Sequence, residues 1–265
     1  MSERKLEVNG QFYPNEETEL NRYIEHFNDV LVSNSIEVDK SLDVRGIIVP
    51  HAGYIYSGFT ANMAYKYIPS AIKNIVVIGP SHKFGFDGAS VALYDIYPTP
   101  LGNLNIDLEF SKKLVTEFKF LSFYDEVHSE HSTETQFPFI KYYKNNVNVI
   151  ELVYSQCEYK ELSEVITKVL EDKENFVVIS TDLSHFHPLE EAKQKDMRCI
   201  EAIDKKDIEL LITGCEACGM TGVKAMLEVA NNQNLHTKLL DYRTSADVSN
   251  DTNSVVGYTS FVVHL

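Results

Sequence analysis

Short apolar runs without polar alternation recur along the chain: RGIIV at 45–49, NIVVIG at 74–79, the stretch 147–154, and NFVVIS at 175–180. Their length, β-branching and flanking Pro, Gly or Asn predict strands buried on both faces. Between them the apolar period changes. Within 14–32, Leu20, Tyr23, Ile24, Phe27, Val30 and Leu31 share one helix face, with Glu16, Glu17 and Glu19 suited to its first turn. Ala61, Ala64, Tyr65 and Ile68 give the same spacing within 57–68. Further helices are expected over 107–118 with Asp107 as N-cap, over 158–171, over 190–213 as one or two pieces, and over 221–232. The weakly alternating 85–94 reads as a hairpin arm, and β runs at 237–242 and 255–264 close the chain. Strands alternating with helices predict an α/β fold: one three-layer domain over 1–265 with a mainly parallel central sheet.

Charge and cysteine content narrow the function. A net charge of -15, with only 24 Lys+Arg in 265 residues, argues against nucleic-acid or anionic-membrane binding, which needs clustered cations. No apolar run approaches the roughly 20 residues of a membrane span, and MSERKLEVNG lacks a signal-peptide core, so a cytoplasmic protein is expected. Cys157, Cys199, Cys215 and Cys218 are too scattered for a disulfide framework, and reduced thiols are expected. Cys215-Glu-Ala-Cys218 supplies only half of a zinc site and follows a helical stretch, unlike a thioredoxin pair. Phosphate-loop, dinucleotide-turn and nucleophile-elbow motifs are missing, which removes sequence support for kinase, dehydrogenase and serine-hydrolase readings.

Candidate chemistry sits at strand ends. Three apolar runs each deliver a histidine soon after they stop: His51 in Pro-His-Ala-Gly, His82 in Gly-Pro-Ser-His, and His185 in Ser-Thr-Asp-Leu-Ser-His. In open α/β sheets the carboxyl ends of strands face the ligand crevice. His51 and His82 can therefore share one metal ion, with Cys218 as an anionic third ligand beside a helix start. Asp182 and His185 form a candidate acid/base pair; the plainer reading is a turn cap and a packed ring. His131 and Glu134, in the polar HSEHSTETQFPF stretch, and Tyr54 beside His51 are candidate substrate-binding groups. Equally, Ser132 can cap a short helix with Glu134 in its first turn, Cys218 can be an inert buried thiol, and Tyr54 can be core. His26, His128, His187, His236 and His264 read as surface or structural.

The motifs PHAGYxYSG at 50–58, GPSH at 79–82, EHSxExQxPF at 130–139, SxDLSH at 180–185, ACG at 217–219 and VVGY at 255–258 recur in one order. In them the chain, from about Arg45 onward, resembles the Memo family, protein B of the AmmeMemoRadiSam system. That resemblance implies a fold like the class III extradiol ring-cleaving dioxygenases, in which two His and a carboxylate hold Fe(II) and another His moves protons. His51 and His82 match the histidine ligands, Cys218 replaces the carboxylate, and His185 matches the acid/base His with Asp182 beside it. Cys215 falls outside the motif. The resemblance implies redox chemistry on a small molecule, with Fe(II) first and Cu or Zn next. The alternatives are a non-catalytic module that binds a peptide or protein in the same pocket, and a metal-assisted hydrolase. AmmeMemoRadiSam partner proteins are the expected company. A thiolate in place of a carboxylate softens the site and alters both metal preference and redox behaviour.

Overall fold

The four apolar runs become the centre of one sheet. In the computed structural model, which describes residues 2–265, the early strands are β1 (Val44–Val49), β2 (Asn74–Pro80), β3 (Ala89–Val91), β4 (Ile96–Tyr97), β5 (Leu104–Ile106) and β6 (Leu121–Ser122). They are followed by β7 (Asn148–Tyr154), β8 (Asn175–Ser180), β9 (His185–His187), β10 (His236–Thr244) and β11 (Val255–His264). The sheet order is β10-β11-β1-β8-β2-β7-β3-β6. Strands β1, β8, β2 and β7 run parallel, as expected for segments joined through helices. Antiparallel strands flank them: β11 and β10 on one side, β3 on the other. The sheet is thus mixed, because the last two strands are joined by a short connection that turns the chain straight back.

Helices cover both faces: α1 (Glu17–Ser33), α2 (Tyr54–Tyr65), α3 (Leu108–Glu117), α4 (His131–Glu134), α5 (Phe137–Tyr143), α6 (Tyr159–Leu170), α7 (Leu189–Lys205), α8 (Ile208–Ile212) and α9 (Met220–Asn232). Ile47, Val49, Ile75, Val77 and Val178 pack with α1, α2 and α5, and Ile48, Val76, Ile78, Val177 and Ile179 pack with α6, α7 and α9. Alternate residues of one strand therefore feed two cores, which is why the runs carry no polar alternation. Asp107 caps α3 through Phe110 N–H at 2.9 Å. The 190–213 stretch divides where Lys206 turns left-handed and Asp207 caps α8. Residues 85–94 yield only the short β3, held between β7 and β6. No described helix is long and apolar enough to cross a membrane.

One expectation is overturned. Cys199 and Cys215 form a disulfide, with Cα atoms 4.6 Å apart, while Cys157 and Cys218 remain free. Cys199 lies on the buried face of α7, and the turn after α8 carries Cys215 back to it, a closure that spacing along the chain does not reveal. Closing a loop of 16 residues is worth about 3 kcal/mol on loop entropy. A Cys199→Ser, Cys215→Ser variant should therefore melt several degrees lower under non-reducing conditions; an unchanged midpoint would remove the bridge from the stability account.

Candidate metal centre

Strand register brings the histidine-bearing ends together. Val49 pairs with Ser180, and Ile78 with Ile179, so β8 lies between β1 and β2 and all three release their chains at one edge. His51 follows directly. Its peptide N–H donates to Asp182 Oδ1 at 2.8 Å, and its Nδ1 lies 2.8 Å from Ser180 Oγ. Ser180 Oγ donates its own proton to Ser132 O and accepts from Gln136 Nε2. The serine can thus only accept from His51, which fixes the proton on Nδ1 and leaves Nε2 a bare lone pair. Burial, then the nearby His131 and His82, hold this imidazole well below its ordinary pKa, so it stays neutral.

Glu130 does the same for two more rings. Its Oε1 lies 3.0 Å from Nδ1 of His82 and 3.0 Å from Nδ1 of His131, and its Oε2 accepts the His82 N–H at 2.6 Å. Burial pushes the Glu130 carboxyl up, but hydrogen bonds from both imidazoles and from the His82 and Ser132 N–H groups more than reverse it, holding it well below the carboxylate range. An ionised, buried acceptor facing both Nδ1 atoms turns both Nε2 atoms outward as lone pairs. This is the arrangement by which carboxylates orient metal-binding histidines.

The sulfur completes the group. Cys218 Sγ lies 3.2 Å from His51 Nε2 and accepts the Asp182 N–H at 3.2 Å. Gly219, which donates to Thr181 Oγ1, passes so close to β8 that a Cβ would stand 2.5 Å from Thr181 Cβ and 2.6 Å from Ser180 O. Only glycine allows that approach, and it sets the depth of Cys218. Burial first, then Asp182, push the thiol up to about 12. The donor atoms of His51, His82 and Cys218 all lie within 4.8 Å of one another. Two imidazole lone pairs and a thiol that becomes an anionic ligand on giving up its proton fit a borderline divalent or soft monovalent metal.

A family model described as Memo-like protein matches residues 4–262. The chain belongs to the Memo family. It is 35% identical to a MEMO1 family protein of Sulfurisphaera tokodaii, covering 96% of each chain. A MEMO1 family protein of Methanopyrus kandleri is 33% identical over 98% of each, and one of Thermoplasma volcanium 31% identical over 98% of this chain and 97% of that protein.

Around this Memo site the expected residues divide. His131 joins the cluster, its ring centroid 4.3 Å from His82 and 5.4 Å from His51, with Phe12 5.1 Å away on the outer side. Asp182 is buried beside His51, its Oδ2 3.9 Å from His51 Nε2; burial pushes its carboxyl up, against the His51 N–H and the nearby His185. His185 stands half-buried on β9, its N–H 3.3 Å from Glu216 Oε1, and contributes no atom to the converging donor group. Two assignments are corrected. Glu134 is fully buried and all its lone pairs face inward: Oε1 accepts from Val8 N–H and Tyr13 Oη, Oε2 from Glu7 N–H and Arg4. It anchors the N-terminal segment and has nothing to offer a substrate. Tyr54 is core, stacked on Phe139 at 4.4 Å with its hydroxyl given to Thr135 O. Glu130, not Ser132, caps α4.

The residues missed by sequence reasoning are Glu130 and Ser180, which set ring tautomers, and Phe12, which walls His131. Glu130 had a signal, since it directly precedes His131 in a dense polar motif. Phe12 had none. Beside His185, Phe186 is 74% exposed yet holds φ at 63°, a left-handed conformation costly for a bulky side chain that gains no burial. Phe186→Gly is expected to raise stability by about 1 kcal/mol in urea unfolding; a loss of stability would show that the ring is held by packing after all.

Proposed function

We propose that this Memo protein is a mononuclear metal protein that carries dioxygen-related redox chemistry on a small organic substrate, with Fe(II) as resident ion and copper as the next candidate. The observation that carries this reading is the fixed orientation of His51 and His82, each engaged at Nδ1 by a hydrogen bond, with a donor atom of each ring within 4.8 Å of Cys218 Sγ. Bound there, the ion would supply electron exchange and dioxygen activation. His51, His82 and Cys218 would hold it on the protein side, leaving the half-exposed His82–His131 side open to solvent. His131, with Nδ1 engaged by Glu130, presents an acceptor Nε2 to a substrate hydroxyl, and Phe12 gives that substrate an aromatic wall. Asp182 and His185 are the groups suited to hold and pass a proton at the inner end.

The test is metal analysis of protein purified without oxygen, followed by oxygen uptake with a panel of catechols and other small diols. About one iron or copper per chain, and uptake with some member of the panel that His185→Gln abolishes, is the expected outcome. Zinc as the resident ion without oxygen uptake would overturn the redox reading.

A further inference from the structure

A hollow of about 420 Å³ lies at the opposite end of α2 from the metal centre. Helix α2 starts beside His51 at Tyr54 and ends at Tyr65, with Lys66 as its C-cap, so its 12 residues separate the two places by about 18 Å. Lys40, Lys66 and Lys144 line the hollow together with Leu42, Tyr67 and Pro69. In a chain where 39 acidic residues outnumber 24 basic ones, three lysines here line one concavity. Among the described residues none of the three is in an ion pair; the rim acid Asp39 faces Lys238 and accepts from Ser41. Lys66 Nζ donates only to the neutral Asn28 Oδ1 at 2.8 Å. Lys66 and Lys144 occupy the C-caps of α2 and α5, where cations offset the helix dipole, yet no helix carbonyl accepts from either ammonium. Burial, and for Lys66 also Lys40, lowers the pKa of these lysines, as expected for charges held without a counter-ion.

We propose that this hollow binds a small phosphorylated molecule. Three point charges suit a compact, multiply charged headgroup, and the volume lies in the range of small-ligand pockets. Tyr67, Leu42 and Pro69 offer apolar faces to whatever the headgroup carries. The formal charge of -15 makes a nucleic-acid strand a poor occupant, whereas a small anion meets only the local field. The site is independent of the metal centre and of the chemistry proposed there.

The test is calorimetric titration of the full chain, stripped of metal, with pyrophosphate at constant ionic strength. Saturable one-to-one binding is expected, weakened about tenfold or more by Lys66→Gln with Lys144→Gln, and unchanged by His51→Ala with His82→Ala. Lys40→Gln, at an exposed position, should weaken it without touching the fold, so the test survives if the double variant is unstable. No saturable heat, equal affinity in the lysine variants, or loss of binding in the histidine variant overturns the proposal. Citrate binding as tightly as pyrophosphate overturns the assignment to a phosphorylated ligand.

Discussion

Arg4→Met is expected to lower the folding free energy by about 3 to 5 kcal/mol, the usual cost of stranding buried charge by removing one partner. Arg4 is 1% exposed and sits over the Tyr97 ring at 5.0 Å. Its guanidinium pairs with Glu134, donates to Glu130 O at 2.9 Å and lies 3.5 Å from Glu151 Oε1. Burial works against the cation, but Tyr97, Glu151 and Glu134 more than offset it and raise its pKa. Glu151, in the middle of β7, is fully buried and bonds Thr133 Oγ1 and His128 Nδ1. Methionine fills the volume of Arg4 and supplies no charge, so two interior carboxylates lose their common cation. Replacing the whole set by apolar residues could be harmless; removing one member is not. Urea unfolding checks the value, and a change below about 1 kcal/mol would mean the carboxylates are solvated in some other way. The pH dependence has a definite sign. Burial pushes Glu151 up, but Arg4 and then His128 pull it below its usual value, so it contributes stability above the unfolded carboxyl pKa of about 4.3 that is lost as pH falls below it. Without Arg4 the folded-state pKa of Glu151 rises toward its unfolded value, so that acid-side loss should shrink.

The same network explains what could and could not be read from the chain. Strands β1, β2, β7 and β8 were legible because burial on both faces forces a continuous apolar run, a signal contained in six or seven neighbouring residues. Helix α3 and its Asp107 cap were legible for the same local reason. Glu151 passes unremarked inside an apolar run, because its partners Arg4 and His128 lie far away in sequence and nothing local names them. Glu134 and Tyr54 were misassigned because a polar group near a strand-end histidine has the same sequence signature whether it faces the pocket or turns its back. Only the positions of Val8, Tyr13 and Thr135 decide between the two. The His51, His82 and Cys218 group was legible through motif order. Its working parts, Ser180 and Glu130, emerge only once β8 is seen to lie between β1 and β2 and α4 to sit over their ends.

His51→Ala together with His82→Ala should reduce bound metal from about one ion per chain to background, since the pair removes two of three converging donors and leaves Cys218 alone. Cys218→Ser should leave an imidazole pair of much lower affinity and abolish any sulfur-to-metal charge-transfer band. Glu130→Gln is the graded member of the series. The amide cannot accept from two Nδ1–H groups as strongly as the carboxylate does, so His82 and His131 lose their enforced tautomers, and affinity should fall about 10- to 100-fold while the fold persists. Proton linkage separates this centre from adventitious binding. His51 is held neutral by burial, while burial and Asp182 keep the Cys218 thiol protonated up to about 12. An ion that recruits the sulfur must therefore displace its proton, and apparent affinity should rise with pH across the neutral range. Calorimetry in two buffers of different ionisation enthalpy reads that proton directly. Metal retained by the double histidine variant, or binding indifferent to pH in the native protein, would place the ion elsewhere.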